Sequence, residues 1–343
     1  MSLPDVTAAL IVRDEQDSLP ACLAALAGVA ARLVVYDTGS TDGTRELARQ
    51  AGAVVVEGYW DGDFGRARNA ALDLVRTPWA LVVDADEEAV VDPAALARHL
   101  DGARKKGVEV FACVVRNLRP AADGGPYTHP GLRLLRVDAA RYRGRVHEQP
   151  GRRDGGRLRA AGLPEGVLHV VHRGYAERSL VRRKALRNAT LARAQLVALV
   201  EAGAPQESPA VATTLLDLGR ALAGAGQVQD AADTFETLRA VAPAQSSPWR
   251  EGSDHLARLL LAAGHDEAVV RLAEQMRAAG APGAWCDWLR AQALVQLGRG
   301  GEAAALLAGI DVLVDTGGRT YDSAPLHEAR SLVQALLPAP RDR

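Results

Sequence analysis

Residues 33–44 read LVVYDTGSTDGT, and this stretch decides the fold class of the first half of the chain. The first four residues are apolar and include two β-branched valines, which is typical of a buried strand. The glycines that follow suit a tight turn, and the hydroxyl and carboxylate side chains around them suit the start of a helix near Thr44. A strand that turns directly into a helix predicts βαβ units and a mostly parallel sheet.

The same alternation continues on both sides of that stretch. Apolar runs at residues 10–12, 53–56 and 79–83 are separated by helix-like stretches at 19–30 and 66–75. The pattern then becomes less regular. Strands are predicted at residues 110–115 and 132–137, and the Gly- and Pro-rich segments 121–130 and 150–164 are interpreted as loops over a site.

After about residue 179 the sequence becomes aliphatic and helical. Three stretches each consist of a helix, a glycine turn and a second helix, with turn glycines Gly226, Gly264 and Gly298. Their spacings of 38 and 34 residues are similar to those of tetratricopeptide (TPR) repeats. A generic array of helical hairpins is the alternative. We therefore expect an α/β domain over residues 1–178 and a helical-repeat domain over residues 179–343.

Composition excludes several classes of partner. The 343 residues carry 41 basic and 42 acidic side chains, so the net charge of −1 gives no reason to expect nucleic acid. No apolar run is long enough for a membrane span or a signal peptide. Cys22, Cys113 and Cys286 lack metal-binding spacing and are interpreted as free buried thiols. A cytoplasmic protein is expected.

Charged residues follow the apolar strands at positions that suit a phosphate-bearing ligand. Asp84 and Asp86 come directly after the run at 79–83, where paired carboxylates suit a divalent cation that holds a diphosphate. Asp37 ends another strand and can accept a hydrogen bond from a nucleobase N–H. Arg66 and Arg68 lie at a predicted helix start, and both features favour phosphate.

Taken in order, these motifs resemble family 2 glycosyltransferases with a GT-A fold. The resemblance rests on residues 11–15 (IVRDE), 37–44 (DTGSTDGT), 63–69 (DFGRARN) and 84–86 (DAD). Three downstream motifs resemble the branch that contains the peptide S-glycosyltransferases of glycocin biosynthesis, which also carry C-terminal helical repeats: residues 133–136 (RLLR), 142–148 (YRGRVHE) and 172–175 (HRGY). Arg13 and Asp14 depart from that branch near the expected base pocket, so the donor stays open.

The resemblance implies a role for each matching residue. The residues implied in nucleotide-sugar binding are Val12, Arg13, Asp37, Arg66, Arg68, Asn69, Asp84 and Ala85. Asp86, Asp84 and His172 are the implied ligands of Mn²⁺ or Mg²⁺, and Glu148 is the implied general base of an inverting reaction. Glu177 and Asp154 are the next candidates for the base, and His147 is a candidate for orienting Glu148.

The favoured hypothesis is a metal-dependent glycosyltransferase that uses a UDP-sugar and a peptide or protein acceptor. A saccharide or lipid acceptor and an inactive scaffold protein are the alternatives. An aspartic protease is excluded because its second Asp-Thr-Gly triplet, at Asp315, would lie among helices. A homodimer through the helical region is expected, with Trp285 and Trp288 as interface anchors or as core residues.

Overall fold

The computed structural model describes residues 3–118, 125–173 and 178–336. Contacts divide the chain into two compact units, Met1–Tyr175 and Ala176–Arg343. The first unit is mixed α/β and the second is mainly helical, which confirms the predicted fold class. The sequence-based boundary after residue 178 lies close to this division.

The α/β unit alternates strands and helices in its first half and contains mainly strands in its second. The strands are β1 (Leu3–Val12), β2 (Ala30–Asp37), β3 (Val54–Glu57), β4 (Trp79–Val82), β5 (Glu87–Val91), β6 (Val110–Asn117), β7 (Tyr127–Arg136), β8 (Ala140–Arg143), β9 (Gln149–Arg152), β10 (Ala160–Gly162) and β11 (Leu168–His172). The helices are α1 (Leu19–Leu26), α2 (Thr44–Gln50), α3 (Phe64–Asp73) and α4 (Pro93–Lys106).

The main sheet has a parallel half and a mixed half. Its strand order is β3-β2-β1-β4-β7-β6-β11-β5. Strands β1 to β4 are parallel to one another, because strands that follow each other along the chain are joined through a helix. Strand β7 is antiparallel to both β4 and β6, and β5 is antiparallel to β11. The expectation of a mostly parallel sheet therefore holds only for the first half of this unit.

Two segments that were interpreted as loops are partly strands. Residues 127–130 belong to β7, while residues 119–124 lie outside the described part of the chain. Strand β9 forms a small two-stranded sheet with β8, and β10 pairs with β6. These strands were not predicted because they contain glycine and proline, which are depleted in strand interiors. Their cross-strand partners are also distant in sequence, so no local pattern indicates the pairing.

The turn after β2 is hydrogen-bonded to the start of its own helix, where Asp42 accepts from the Thr44 N–H at 3.0 Å, and also to the turn after β1. Helix α2 begins at Thr44, and Gly43 at its N-cap makes no side-chain cap. The Ser40 hydroxyl accepts instead from the Asp14 backbone N–H at 2.9 Å, and the Asp14 carboxylate accepts from Thr41 N–H at 2.7 Å. Asp14 itself has a left-handed backbone conformation, with a φ of 53°. The hydrogen bonds between the two turns make them one cross-linked edge of the sheet.

The helical unit is built from antiparallel hairpins. Its helices are α5 (Arg178–Glu201), α6 (Pro209–Gly224), α7 (Val228–Val241), α8 (Ser247–Ala262), α9 (Asp266–Ala278), α10 (Gly283–Gln296), α11 (Gly300–Ala308) and α12 (Ala324–Leu336), with short strands β12 (Leu313–Val314) and β13 (Thr320–Tyr321) before the last helix. The predicted turn glycines Gly226, Gly264 and Gly298 have φ values of 79°, 75° and 74°. These left-handed turns close the hairpins α6–α7, α8–α9 and α10–α11.

Of the two tryptophans considered as interface anchors, Trp285 belongs to the core of this unit. Trp285 is 4% exposed, donates from Nε1 to Asp254 at 2.8 Å and stacks on Tyr321, so it is a core residue and not an interface anchor. Trp288 is partly buried against the same core. The strands β12 and β13 were not expected, because the sequence around residues 312–314 was interpreted as part of the helical array.

Two further expectations can be compared with the structure. All three cysteines are free and buried, as predicted. Within the residues described, no helix is both long enough and apolar enough to cross a membrane.

The repeat packing gives a first test. Gly219 on α6 faces the fully buried ring of Phe235, so a side chain at this position would overlap the ring. We expect Gly219→Leu to destabilise the protein by about 1–3 kcal/mol or more through overpacking. Gly301→Leu is the matched control, because a side chain at Gly301 would enter open space. Urea unfolding followed by circular dichroism measures both, and equal midpoints would contradict the packing argument.

Candidate active site

A buried arginine joins two carboxylates from distant parts of the α/β unit. Arg68 lies on α3 with 10% of its side chain exposed. Its Nε donates to Glu148 Oε1 at 2.5 Å, and its Nη2 donates to Asp84 Oδ1 at 2.6 Å. Its Nη1 has no hydrogen-bond partner among the described residues. The structure thus brings three of the predicted site residues into direct contact.

A second arginine extends this network beneath the β4–β5 turn. Arg133 on β7 donates to the buried carboxylate of Glu87, and its Nη1 lies 3.7 Å from Asp84 Oδ2. Glu87 also accepts from the Asp84 backbone N–H at 2.9 Å, which holds the turn closed. Burial raises the pKa of Asp84, but Arg68 and Arg133 outweigh burial and hold that pKa well below its usual value.

The pKa of Glu87 is shifted in the opposite direction to that of Asp84 by the same surroundings. Burial, reinforced by the neighbouring charge of Asp84, raises the pKa of Glu87 to about 7, although Arg133 opposes the shift. The two carboxylates therefore differ in their affinity for a proton. Asp84 stays ionised between the arginines, and Glu87 is the group in this network that takes up a proton near neutral pH.

The loop that carries Glu148 is fixed to the start of α3. Phe64 N–H donates to Arg145 O at 3.0 Å, and Gly65 N–H donates to Gly144 O at 3.2 Å. A Cβ at Gly65 would collide with the Gly144 carbonyl, so the close approach of the two backbones requires glycine. Because these bonds use N–H groups that a helix start leaves unpaired, the loop and α3 form one structural unit.

A second cluster lies where β5, β11 and β6 meet. His172 is the last residue of β11 and pairs in register with Glu87 on β5 and with Asn117 on β6. His172 Nε2 lies 3.2 Å from Asp86 Oδ2, and His172 Nδ1 lies 2.9 Å from Asn117 Oδ1. The hydrogen bond to Asp86 raises the pKa of His172. The sheet register therefore brings together Asp86 and His172, two of the three predicted metal ligands.

Asp37 forms a separate polar site at the end of β2. Its Oδ1 accepts from the N–H groups of Gly39 and Ser40 at 3.0 and 2.9 Å. Its Oδ2 is buried and has no donor among the described residues, although the side chain is only 1% exposed. A buried carboxylate oxygen without a partner is costly, and a ligand N–H would satisfy it.

Other predicted residues lie outside these contacts. The Asn69 side chain donates from Nδ2 to Tyr142 O and accepts at Oδ1 from Tyr142 N–H, both at 2.9 Å. Asn69 therefore holds strand β8 in place. Arg66 stacks on Tyr59 and pairs with Asp61. Glu177 lies outside the described residues.

The remaining predicted positions lie at strand ends or at the surface. Val12 ends β1, and its carbonyl accepts from both the backbone N–H and the hydroxyl of Thr38. Ala85 is buried within the β4–β5 turn, whereas Arg13 is half exposed beside Asp14. Asp154 accepts from Gly156 N–H and pairs with Arg152 at the surface. Ligand contacts by these residues stay predictions.

Sequence reasoning missed three residues that organise the site: Arg133, Glu87 and Asn117. Arg133 precedes two leucines that are fully buried in β7, and an arginine inside an apolar strand is a signal of a paired buried charge. Glu87 was visible only as the residue after Asp86. Asn117 lies beyond the predicted strand 110–115, and no spacing in the sequence indicates its contact with His172.

The side chains of the site offer few ligand atoms to a metal ion. Among residues 3–118, 125–173 and 178–336, no group of three His, Cys, Asp or Glu side chains is arranged to hold a metal ion. Both Asp84 oxygens face arginines, which leaves Asp86 and His172 as the protein donors that face one another. One carboxylate and one imidazole fit a cation whose other ligands are diphosphate oxygens and water.

Comparisons with known proteins find matches in both parts of the chain. Residues 7–149 match the model of the family named Glycosyl transferase family 2. The prophage-derived glycosyltransferase SunS of Bacillus subtilis is 28% identical over 156 residues, covering 43% of this chain and 35% of SunS. A TPR repeat-containing protein of Synechococcus elongatus is 42% identical over 91 residues, covering 26% of this chain and 23% of that protein. The chain thus spans about a third or less of these curated relatives.

Solved structures include glucosyl-3-phosphoglycerate synthase from Mycobacterium tuberculosis, in complex with Mn²⁺, UDP and its product. It is 19% identical, with a TM-score of 0.38 over 59% of this chain and 81% of that one. The family match covers β1 to the start of β9 and therefore includes Asp37, Arg68, the Asp84–Asp86 turn and Glu148. Residues 7–149, which make up most of the α/β unit, therefore match glycosyl transferase family 2.

Proposed function

We propose that the protein transfers a sugar from a nucleoside-diphosphate sugar, with UDP as the favoured nucleotide, to a nucleophile on an acceptor. The observation that carries the proposal is the buried Glu148–Arg68–Asp84 network beside the Asp86–His172 pair. Its position beyond the carboxyl ends of β1, β2 and β4 is where open α/β sheets bind ligands.

The nucleotide is held by the edge formed by the turns after β1 and β2. The unpaired Asp37 Oδ2 accepts from an N–H of the base, beside the end of β1 at Val12 and the backbone of residues 39–40. Arg68 Nη1 and Arg133 Nε are buried donors of the network without a partner among the described residues, and we assign Arg68 Nη1 to a phosphate or ribose oxygen of the sugar donor. Arg66 is already paired and contributes at most to the general positive charge of this helix start.

A divalent cation, Mn²⁺ or Mg²⁺, is held by Asp86 and His172 together with the diphosphate. When bound, the cation supplies stabilisation of the negative charge that develops on the departing diphosphate. Asp84 contributes indirectly, because its carboxylate holds Arg68 and Arg133 in place. His172 is kept in position by its pairing between β5 and β6.

Glu148 is the base of the transfer. Its Oε1 is held by Arg68, while no described residue donates to its Oε2, so one oxygen stays available to the acceptor. Oε2 takes the proton of the acceptor hydroxyl or thiol as that atom attacks the anomeric carbon. The bond between the anomeric carbon and the diphosphate oxygen breaks, and the nucleoside diphosphate leaves with its bonding electrons.

The acceptor we favour is a peptide or protein side chain, because the residues 142–148 and 172–175 resemble the peptide-modifying branch. The match to SunS, itself named a glycosyltransferase, supports the transfer of a sugar. The repeat unit is proposed to contact protein and to mediate the expected homodimer, since stacked helical hairpins offer extended surfaces.

The metal assignment predicts a loss of donor turnover in Asp86→Ala. Removal of this carboxylate leaves His172 as the only protein ligand of the proposed pair, so release of UDP from a UDP-sugar should fall to background. Asp101→Ala, in an exposed position on α4, is the control and should keep full activity. Normal turnover in Asp86→Ala, or full activity of the wild type in excess chelator, would exclude the cation.

The base assignment predicts that Glu148→Gln loses transfer and keeps donor binding. The amide oxygen still accepts from Arg68, but it cannot take a proton, so the rate should fall by about 10²–10⁴-fold. Transfer assays and titration of UDP separate the two effects. Asp154→Asn is the comparison, and a large loss in that variant with little loss in Glu148→Gln would move the role to Asp154.

A single base without a protein nucleophile predicts inversion at the anomeric carbon. An α-linked UDP-sugar should therefore give a β-linked product, which NMR of the anomeric proton and its coupling constant identifies. An α-linked product would rule out direct displacement with Glu148 as base.

A further inference from the structure

Asn117 lies behind the proposed metal ligands and contacts none of the expected substrates. It is the last residue of β6, it is 5% exposed, and its side-chain amide lies between two histidines. Asn117 Oδ1 is 2.9 Å from His172 Nδ1, and Asn117 Nδ2 is 3.2 Å from His129 Nδ1. The four side chains form a continuous series that runs from His129 through Asn117 and His172 to Asp86.

The orientation of the Asn117 side-chain amide decides which ring nitrogen of His172 can bind a cation. An imidazole that binds a cation through Nε2 must carry its proton on Nδ1, and that proton needs an acceptor. Asn117 Oδ1 is that acceptor in the observed arrangement. If the amide turned over, its NH₂ group would face His172 Nδ1 and would force the proton onto Nε2, which is the nitrogen that faces Asp86.

The strands make this arrangement rigid. Asn117 and His172 are directly paired residues of the parallel strands β6 and β11, and the Leu118 N–H donates to His172 O at 2.9 Å just beyond the pair. The NH₂ group of Asn117 is held by His129 on β7, the strand on the other side of β6. The amide is therefore held from both sides by neighbouring strands of the sheet.

We propose that Asn117 is a positioning residue that keeps the proton of His172 on Nδ1 and directs Nε2 toward a divalent cation shared with Asp86. The proposal rests on the proposed metal role of Asp86 and His172. A partner that orients a metal-bound histidine typically changes metal affinity by about 10–100-fold when it is removed. Asn117 thus sets the affinity for the cation without touching it.

The test compares two replacements of similar size, Asn117→Asp and Asn117→Leu, in the full-length protein. The aspartate keeps an oxygen opposite His172 Nδ1, whereas the leucine removes it. With UDP present, we expect Asn117→Leu to weaken Mn²⁺ binding by about 10–100-fold in calorimetric titration, and Asn117→Asp to stay close to the wild type. His169→Gln is the control, because His169 lies on the same strand and bonds Glu165 O instead.

Pulsed EPR of the bound Mn²⁺ gives a readout that a general loss of stability would not produce. The histidine nitrogen coupling should be present in the wild type, Asn117→Asp and His169→Gln. It should be lost in His172→Ala and strongly reduced in Asn117→Leu. If Asn117→Leu does not fold, as judged by circular dichroism, Asn117→Val replaces it with the same expectation, because valine suits a strand.

The outcomes distinguish this inference from the proposed function. Tight Mn²⁺ binding with a histidine signal in the wild type, unchanged in Asn117→Leu, would overturn the role of Asn117 alone. A wild-type protein that binds Mn²⁺ with no histidine signal, or binds none with UDP present, would overturn the metal assignment and this inference with it. Rescue by aspartate and loss with leucine supports both.

Discussion

The buried guanidinium of Arg68 is the constraint on which the rest of the site depends. A guanidinium cannot give up its proton at any pH that a protein tolerates, so burial obliges the chain to bring carboxylates to it. Asp84 comes from the end of the central parallel strand, and Glu148 comes from a loop eighty residues later in sequence than Arg68. Removal of one partner of such a buried pair typically costs about 3–5 kcal/mol.

The mixed half of the sheet brings further members of this network together. Arg133 reaches Asp84 and Glu87 only because β7 runs beside β4, and His172 reaches Asp86 only because β11 runs beside β5. The parallel half supplies the edge proposed to bind the nucleotide, through its strand-to-helix turns. The antiparallel strands supply the opposing charges, so the two halves of the sheet are joined through their ionised side chains as well as through backbone hydrogen bonds.

Local patterns predicted the elements that depend on local sequence. The strand and turn at residues 33–44 and the left-handed glycines of the helical unit were visible because helix and turn preferences act over a few residues. Strands β9 and β10 were missed because they are short and contain glycine, and β12 and β13 because they interrupt a helical pattern. Within the site, Asp84 and Arg68 followed from strand ends and a helix start. Arg133 and Asn117 did not, because their partners are distant in sequence.

The close backbone contact between Gly65 and Gly144 has a consequence for how such an enzyme diverges. Arg68, with its proposed role toward the donor, and Glu148, with its proposed role toward the acceptor, are attached to the two sides of that contact. Insertions between Gly144 and Glu148 would separate them, whereas β9 and the surface residues beyond it can change length without moving either. Under the proposed roles, acceptor choice can therefore change through segments beyond β9 without separating Arg68 from Glu148.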